Sequence, residues 1–144
     1  MRKKWRDLGR PAIVLAACVT LLLGVSAVSA QAADVDAKDF GNIKVCKKVN
    51  GWSDEDQKFR FIIREQRSGK IAEFMLRGDD CRGENRLDVG TYRVRESGIP
   101  ENCKIADIKV NGPYERINLV NAVAVVKVEK NKTTTVTFVD RCKK

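Results

Sequence analysis

The residues in this 144-residue chain best equipped for covalent chemistry are its five cysteines. Cys18 sits inside an early apolar stretch, while Cys46, Cys81, Cys103 and Cys142 are spread over the rest. None of these four stands in a C-x-x-C or C-x-x-C-H context, which sets aside a thioredoxin-like redox motif, haem attachment and a zinc ribbon. An even set of cysteines outside the cytoplasm points to disulfides, and four of them allow three pairings. Histidine is absent. Its absence removes imidazole acid–base chemistry, Ser–His and Cys–His nucleophile pairs, and most zinc sites other than all-cysteine ones. The acidic clusters Asp54-Glu55-Asp56 and Asp79-Asp80 with Glu84 offer oxygens of the kind calcium takes, but neither follows the alternating spacing of a calcium loop. They read as solvated loops. Neither a Gly-rich phosphate loop nor a nucleophile elbow is present. The residues therefore argue for a non-enzyme with no metal and no cofactor.

The compartment is written at the start of the chain. A basic opening, Met1-Arg-Lys-Lys-Trp-Arg6, precedes AIVLAACVTLLLGV at 12–25, and small residues follow. Ala30-Gln31-Ala32 fits an A-x-A cleavage site, with Val28-Ser29-Ala30 as a second option, so residues 1–32 read as a secretory signal peptide. The apolar run of about 14 residues is short for a stable membrane span. Leu15-Ala16-Ala17-Cys18 is similar to a lipoprotein cleavage box, but an apolar stretch follows Cys18 where a polar tether is expected. Removing the leader lowers the formal net charge from +9 to +5. The remaining charges are interspersed, as in KFRFIIREQR and TYRVRES. They suit a solvated sheet face better than a nucleic-acid surface, which would call for a basic stripe interleaved with aromatics.

The elements that must position the cysteines are short strands. After an arm at 33–40, strand character covers 41–49 (GNIKVCKKV), ended by the Asn50-Gly51 turn signal. KFRFIIR at 58–64 alternates, with Phe59, Phe61 and Ile63 on one side. IAEFML at 71–76, TYRVRE at 91–96, 103–110, 122–129 and 133–142 are further strands, and RGDDCRGEN at 77–85 reads as a polar loop carrying Cys81. Seven to nine strands in about 105 residues, with no helical period, argue an all-β sandwich or barrel. Along 91–96, Tyr92, Val94 and Glu96 share a face. If that face is the core, burial raises the Glu96 pKa and favours the neutral acid.

Three segments carry a family likeness: Gly41-Asn-Ile-Lys44-Val, Leu87-Asp-Val-Gly90-Thr-Tyr92-Arg-Val-Arg-Glu96, and Val136-Thr-Phe138-Val-Asp140. Together they resemble the Cna-B/SpaA-like, prealbumin-like domains of Gram-positive surface adhesins and pilins. The resemblance covers residues 41–142 within a domain at 41–144, and implies an immunoglobulin- or prealbumin-like β-sandwich. In that family a buried lysine on the first strand can condense with an Asn or Asp on the last, while a buried acid relays protons. Carried over, Lys44 is the amine, Asp140 the acceptor and Glu96 the proton shuttle. Burying an amine favours its neutral, nucleophilic form, and a neighbouring protonated carboxyl polarises the acceptor. The resemblance further implies that the first and last strands are parallel neighbours. Lys44 precedes Asp140 by the same interval as Cys46 precedes Cys142, and i and i+2 share a strand face. With that register the preferred disulfides are Cys46–Cys142 and Cys81–Cys103. The same residues also fit a plain disulfide-stapled sandwich, with Lys44 snorkelling and Asp140 pairing with Arg141 or Lys143.

The resulting expectation is a secreted bacterial, non-catalytic module with a structural or adhesive role, stapled between its end strands. It is monomeric and extracellular or associated with the cell surface, and its partner is an extracellular protein or cell-wall polymer rather than nucleic acid. The chain closes on Arg141-Cys-Lys-Lys144 without an L-P-x-T-G sorting signal, which favours free secretion. The alternative is a secreted effector or inhibitor that binds a partner protein through its loops and shows an apolar patch at one face or loop end.

Overall fold

Nine strands follow one another in the computed structural model, which describes residues 38–51 and 54–144. The leader at 1–32, Cys18 and most of the arm at 33–40 lie outside the described residues. The strands are β1 (Phe40–Gly51), β2 (Phe59–Glu65), β3 (Gly69–Leu76), β4 (Cys81–Asp88), β5 (Gly90–Ser97), β6 (Cys103–Asn111), β7 (Tyr114–Asn118), β8 (Val123–Val128) and β9 (Thr133–Cys142). They form a β-sandwich of a four-stranded sheet, β4-β1-β9-β6, and a five-stranded sheet, β3-β2-β5-β8-β7.

Alternation builds the core. Phe59, Phe61 and Ile63 of β2, Tyr92 and Val94 of β5, and Ala124, Val126 and Val128 of β8 face inward from the larger sheet. Ile43 and Val45 of β1, Ile108 of β6, and Val136 and Phe138 of β9 face them from the smaller one. Phe61 meets Phe138 edge-on across the sandwich, with ring centroids 5.3 Å apart. That offset geometry is the one aromatic quadrupoles favour. The Tyr92 hydroxyl donates to the Asp88 carbonyl at 2.8 Å, satisfying its one polar atom at the edge of the core.

Two strands differ from the sequence reading. The segment expected as a polar loop at 77–85 contributes most of β4, and β7 forms where no strand was assigned. Both are sheet edges. In β4 only Leu87 is buried, and in β7 no residue is. Neither has an alternating apolar face to betray it, and each is held by backbone pairing to a neighbour.

β1 and β9 lie side by side and parallel, as the family resemblance implies. Their register is different from the one expected. Lys44 is opposite Thr135 and Cys46 opposite Thr137, whereas Val49 faces Asp140 and Gly51 faces Cys142. The disulfides are accordingly not Cys46–Cys142 and Cys81–Cys103 but Cys46–Cys81, joining β1 to β4, and Cys103–Cys142, joining β6 to β9. Side-chain parity explains the correction. Ile43 and Val45 turn inward, so Cys46 turns outward, where it meets its direct cross-strand neighbour Cys81. Cys142 shares the inward face of β9 with Val136, Phe138 and Asp140, and its direct neighbour is Cys103. Cys46 and Cys142 thus point to opposite sides of one sheet and cannot bond.

Candidate functional site

Lys47 is completely buried, an unusual place for a lysine. The parity that turns Ile43 and Val45 into the core turns Lys47 in as well. Its Nζ donates to Glu96 Oε1 at 2.7 Å and lies 2.7 Å from Asp140 Oδ2. It also sits 4.1 Å from the centroid of the Phe59 ring, whose face attracts a cation. Glu96 and Asp140 are themselves 1% and 0% exposed. Three central strands supply the group: β1 and β9 of one sheet give the lysine and Asp140, and β5 of the other gives Glu96 across the sandwich.

The group is poorly satisfied. The Lys47–Asp140 approach is short enough for a hydrogen bond but lacks hydrogen-bond angles, and both carboxyl oxygens of Asp140 are without a hydrogen-bond partner. Glu96 Oε2 is also unpartnered. Burial pushes the Glu96 carboxyl up to about 7; the Lys47 charge and hydrogen bond draw it down, and Asp140 reinforces the rise. A carboxyl held near neutrality accepts and returns a proton readily.

The sequence reading assigned three residues to this site, and the structure brings two of them together. Glu96 and Asp140 meet on the core faces of β5 and β9. Lys44 does not join them: it is exposed on the outer face of the smaller sheet, between Thr135 of β9 and Gly83 of β4. Lys47 takes the position that was assigned to Lys44. The signal was present in GNIKVCKKV, where Ile43, Val45 and Val49 mark the odd-numbered positions as the apolar row. Lys47 is the lysine in that row, and Lys44 and Lys48 are not.

No family model matches this sequence, and no curated protein matches it. Solved structures do. One is a bacterial adhesin from Mobiluncus mulieris containing intramolecular disulfide, isopeptide and ester bond cross-links, with a TM-score of 0.58 and 21% identity over 72% of this chain and 41% of that one. Another is the pilus-presented adhesin Spy0125 (Cpa), with a TM-score of 0.54 and 21% identity over 73% of this chain and 28% of that one. The chain has the Cna-B/SpaA-like fold. The chain spans 41% of the length of the first neighbour and 28% of the second. The disulfides and the Lys47–Asp140 contact follow one another across the smaller sheet: Cys81–Cys46 joins β4 to β1, Lys47 Nζ reaches Asp140 Oδ2 between β1 and β9, and Cys142–Cys103 joins β9 to β6. Among the described residues no helix is long and apolar enough to cross a membrane.

Proposed function

We propose that this chain is an exported, non-catalytic structural or adhesive module of the bacterial surface or medium, locked by an isopeptide bond between Lys47 and Asp140. The observation that carries the reading is the fully buried Lys47–Glu96–Asp140 group between the parallel first and last strands. Lys47 passes a proton to the Asp140 carboxyl by way of Glu96, and its nitrogen then attacks Asp140 Cγ as the free amine. Glu96 takes a proton from the nitrogen and delivers it to the departing hydroxyl. One C–N bond forms, one C–O bond breaks and one water leaves. Lys47 and Asp140 are consumed, so the reaction turns over once. Burial excludes the water that would otherwise favour hydrolysis. The neighbouring adhesin's own disulfide and isopeptide cross-links support the analogy.

Intact mass of the reduced, mature protein tests it. The expected mass is one water below that of the linear sequence, with peptide mapping joining Lys47 to Asp140. Lys47→Ala and Glu96→Ala restore the full mass, and Lys44→Ala leaves the deficit in place. A wild-type chain at full mass, or a deficit that survives Lys47→Ala, overturns the reading.

The effector or inhibitor reading draws on one feature. Leu119 and Val120 are 40% and 94% exposed at the turn between β7 and β8, an apolar tip suited to a partner protein. It predicts that Val120→Ser abolishes binding of that partner with no loss of stability.

A further inference from the structure

The outer face of the five-stranded sheet carries a row of cations that the core chemistry does not use. Lys70 of β3 lies opposite Arg64 of β2, Arg64 opposite Arg93 of β5, Arg93 opposite Val125 of β8, and Val125 opposite Arg116 of β7. Every strand of the sheet contributes one residue, and four of the five are basic. Arg95, two residues along β5, extends the patch between Ile62 and Val123. Like charges placed directly opposite one another on a sheet repel. Nearby cations on this face are neutralised: Arg60 and Lys70 by Glu73, and Lys127 by Glu115. Arg64, Arg93, Arg95 and Arg116 have no acidic partner among the described residues, although all four are exposed and clustered. The arrangement is costly in the free protein and is relieved by an anion.

The face is also concave. A groove of about 650 Å³ runs over Arg64, Arg93, Val125 and Arg116. It adjoins a hollow of about 180 Å³ lined by Arg93, Arg95, Asn118 and Asn121 with Val123. The groove is also lined by Glu65, Gln66, Tyr92 and Glu115. Guanidinium groups bind carboxylate and sulfate oxygens in a forked geometry. Asn and Gln amides and the two glutamates suit sugar hydroxyls, and aliphatic Val123 and Val125 suit the C–H face of a pyranose. Polyphosphate offers neither hydroxyls nor a C–H face to these groups, and Tyr92, the aromatic residue in the groove lining, is 1% exposed and turned into the core, so it presents no ring face to stack a base.

From this combination we infer that the outer face of the five-stranded sheet is a binding site for an acidic oligosaccharide, with Arg64, Arg93, Arg95 and Arg116 holding its carboxylate or sulfate groups. The inference rests on the adhesive form of the proposed function and names its ligand class. It is separable from the cross-link, which mass alone reads out. Binding of the full mature chain to oligogalacturonate and to a heparin oligosaccharide tests it, by calorimetry and by NMR shifts of the arginine Nε–H and Val125 methyl groups. A neutral N-acetylglucosamine oligomer, polyphosphate and single-stranded DNA are the comparators. The expected result is that at least one acidic sugar binds more tightly than all three comparators. Arg93→Gln and Arg116→Gln each weaken that binding by about tenfold, as loss of a charged hydrogen bond does. A Lys44→Gln/Lys48→Gln chain, which removes two cations from the opposite sheet, changes it less than about twofold. Absence of binding by both acidic sugars, equal or tighter binding of polyphosphate or DNA, or equal sensitivity to the Lys44/Lys48 control overturns the inference. The substituted arginines are exposed, so circular dichroism is expected to show each variant folded as wild type.

Discussion

A lysine enclosed with two carboxyl groups and an aromatic ring is stable only while the charges balance, so the site is most informative when one member is removed. Lys47→Met leaves Glu96 and Asp140 facing each other in an apolar enclosure. Relative to the unlinked chain, the variant is expected to lose about 3–5 kcal/mol at neutral pH, the usual consequence of orphaning one side of a buried ion pair, and loss of the proposed Lys47–Asp140 bond adds to this in the comparison with wild type. The sign with pH follows from Glu96. Its carboxyl is raised in the fold from 4.5 to about 7 by burial, with Lys47 pulling the other way. Removing Lys47 takes away that lowering influence. The folded state therefore binds the proton more tightly than the unfolded chain, and stability is fullest below 4.5 and declines as pH rises toward and past 7. Urea denaturation of Lys47→Met across that window is expected to show the decline, and Lys47→Met/Glu96→Gln a shallower one. Stability that rises with pH in the first variant contradicts the assignment. Glu96 and Asp140 could be found in the sequence because each sits in a run with its own apolar partners, Tyr92 and Val94 or Val136 and Phe138. In a run that contains three lysines the family motif points to the first, Lys44, whereas the alternation of Ile43, Val45 and Val49 points to the second, Lys47.

At the scale of strands, what the sequence conceals is pairing. The boundaries of β9 are plain from its Val/Thr-rich run, and β2 is plain from KFRFIIR. β4 is concealed because an edge strand owes its conformation to a neighbour's backbone, and CRGENRLD contains one apolar residue for the core. The disulfide pattern depended on that hidden strand. A loop at 77–85 gives Cys81 no defined neighbour, and its pairing with Cys46 follows only from β4 running antiparallel beside β1. The two disulfides close loops with sequence separations of 35 and 39. In the chain-entropy treatment each is worth about 4 kcal/mol, and measured losses on removal are commonly about 2–5 kcal/mol. Cys46→Ser/Cys81→Ser is expected to lose stability in that range in urea denaturation of the Lys47→Ala background, and less in wild type if the proposed Lys47–Asp140 bond restricts its unfolded chain. A second prediction concerns Gly41, where β1 enters the sheet beneath the 129–132 turn. The Asn42 amide donates to Lys132 O and the Asn131 amide to Phe40 O, so the turn is drawn tight against the strand. A methyl at 41 would run into the Glu129 carbonyl and come within 2.8 Å of Val128 Cγ1. Gly41→Ala is expected to cost about 1–3 kcal/mol through backbone displacement, measured by the same denaturation.

For the molecule as a whole, the cross-links matter through the path a pulling force takes. Strands β1 and β9 are parallel, so the two ends of the domain leave at opposite ends of the smaller sheet and load shears the pair. With Lys47 bonded to Asp140, force passes from β1 into β9 near residue 47 and leaves toward Cys142, and everything between is spared. Without that bond, the intact disulfides still carry force across the segments 46–81 and 103–142. Only the stretch between Cys81 and Cys103, about 20 residues, can extend. At about 3.3–3.6 Å per residue this is a gain of about 70 Å. With the disulfides reduced as well, about 95 residues are released, a gain of about 330 Å. Single-molecule stretching through the two ends of the domain therefore has three distinct expected outcomes. The wild type shows no unfolding step, oxidised or reduced. Lys47→Ala under oxidising conditions shows the short step, and the same variant under reducing conditions shows the long one. A long step in the reduced wild type means that the Lys47–Asp140 bond does not form. A long step in oxidised Lys47→Ala means that the cysteines are not paired as Cys46–Cys81 and Cys103–Cys142. The combination gives each covalent link its own length, so one failing does not obscure the other.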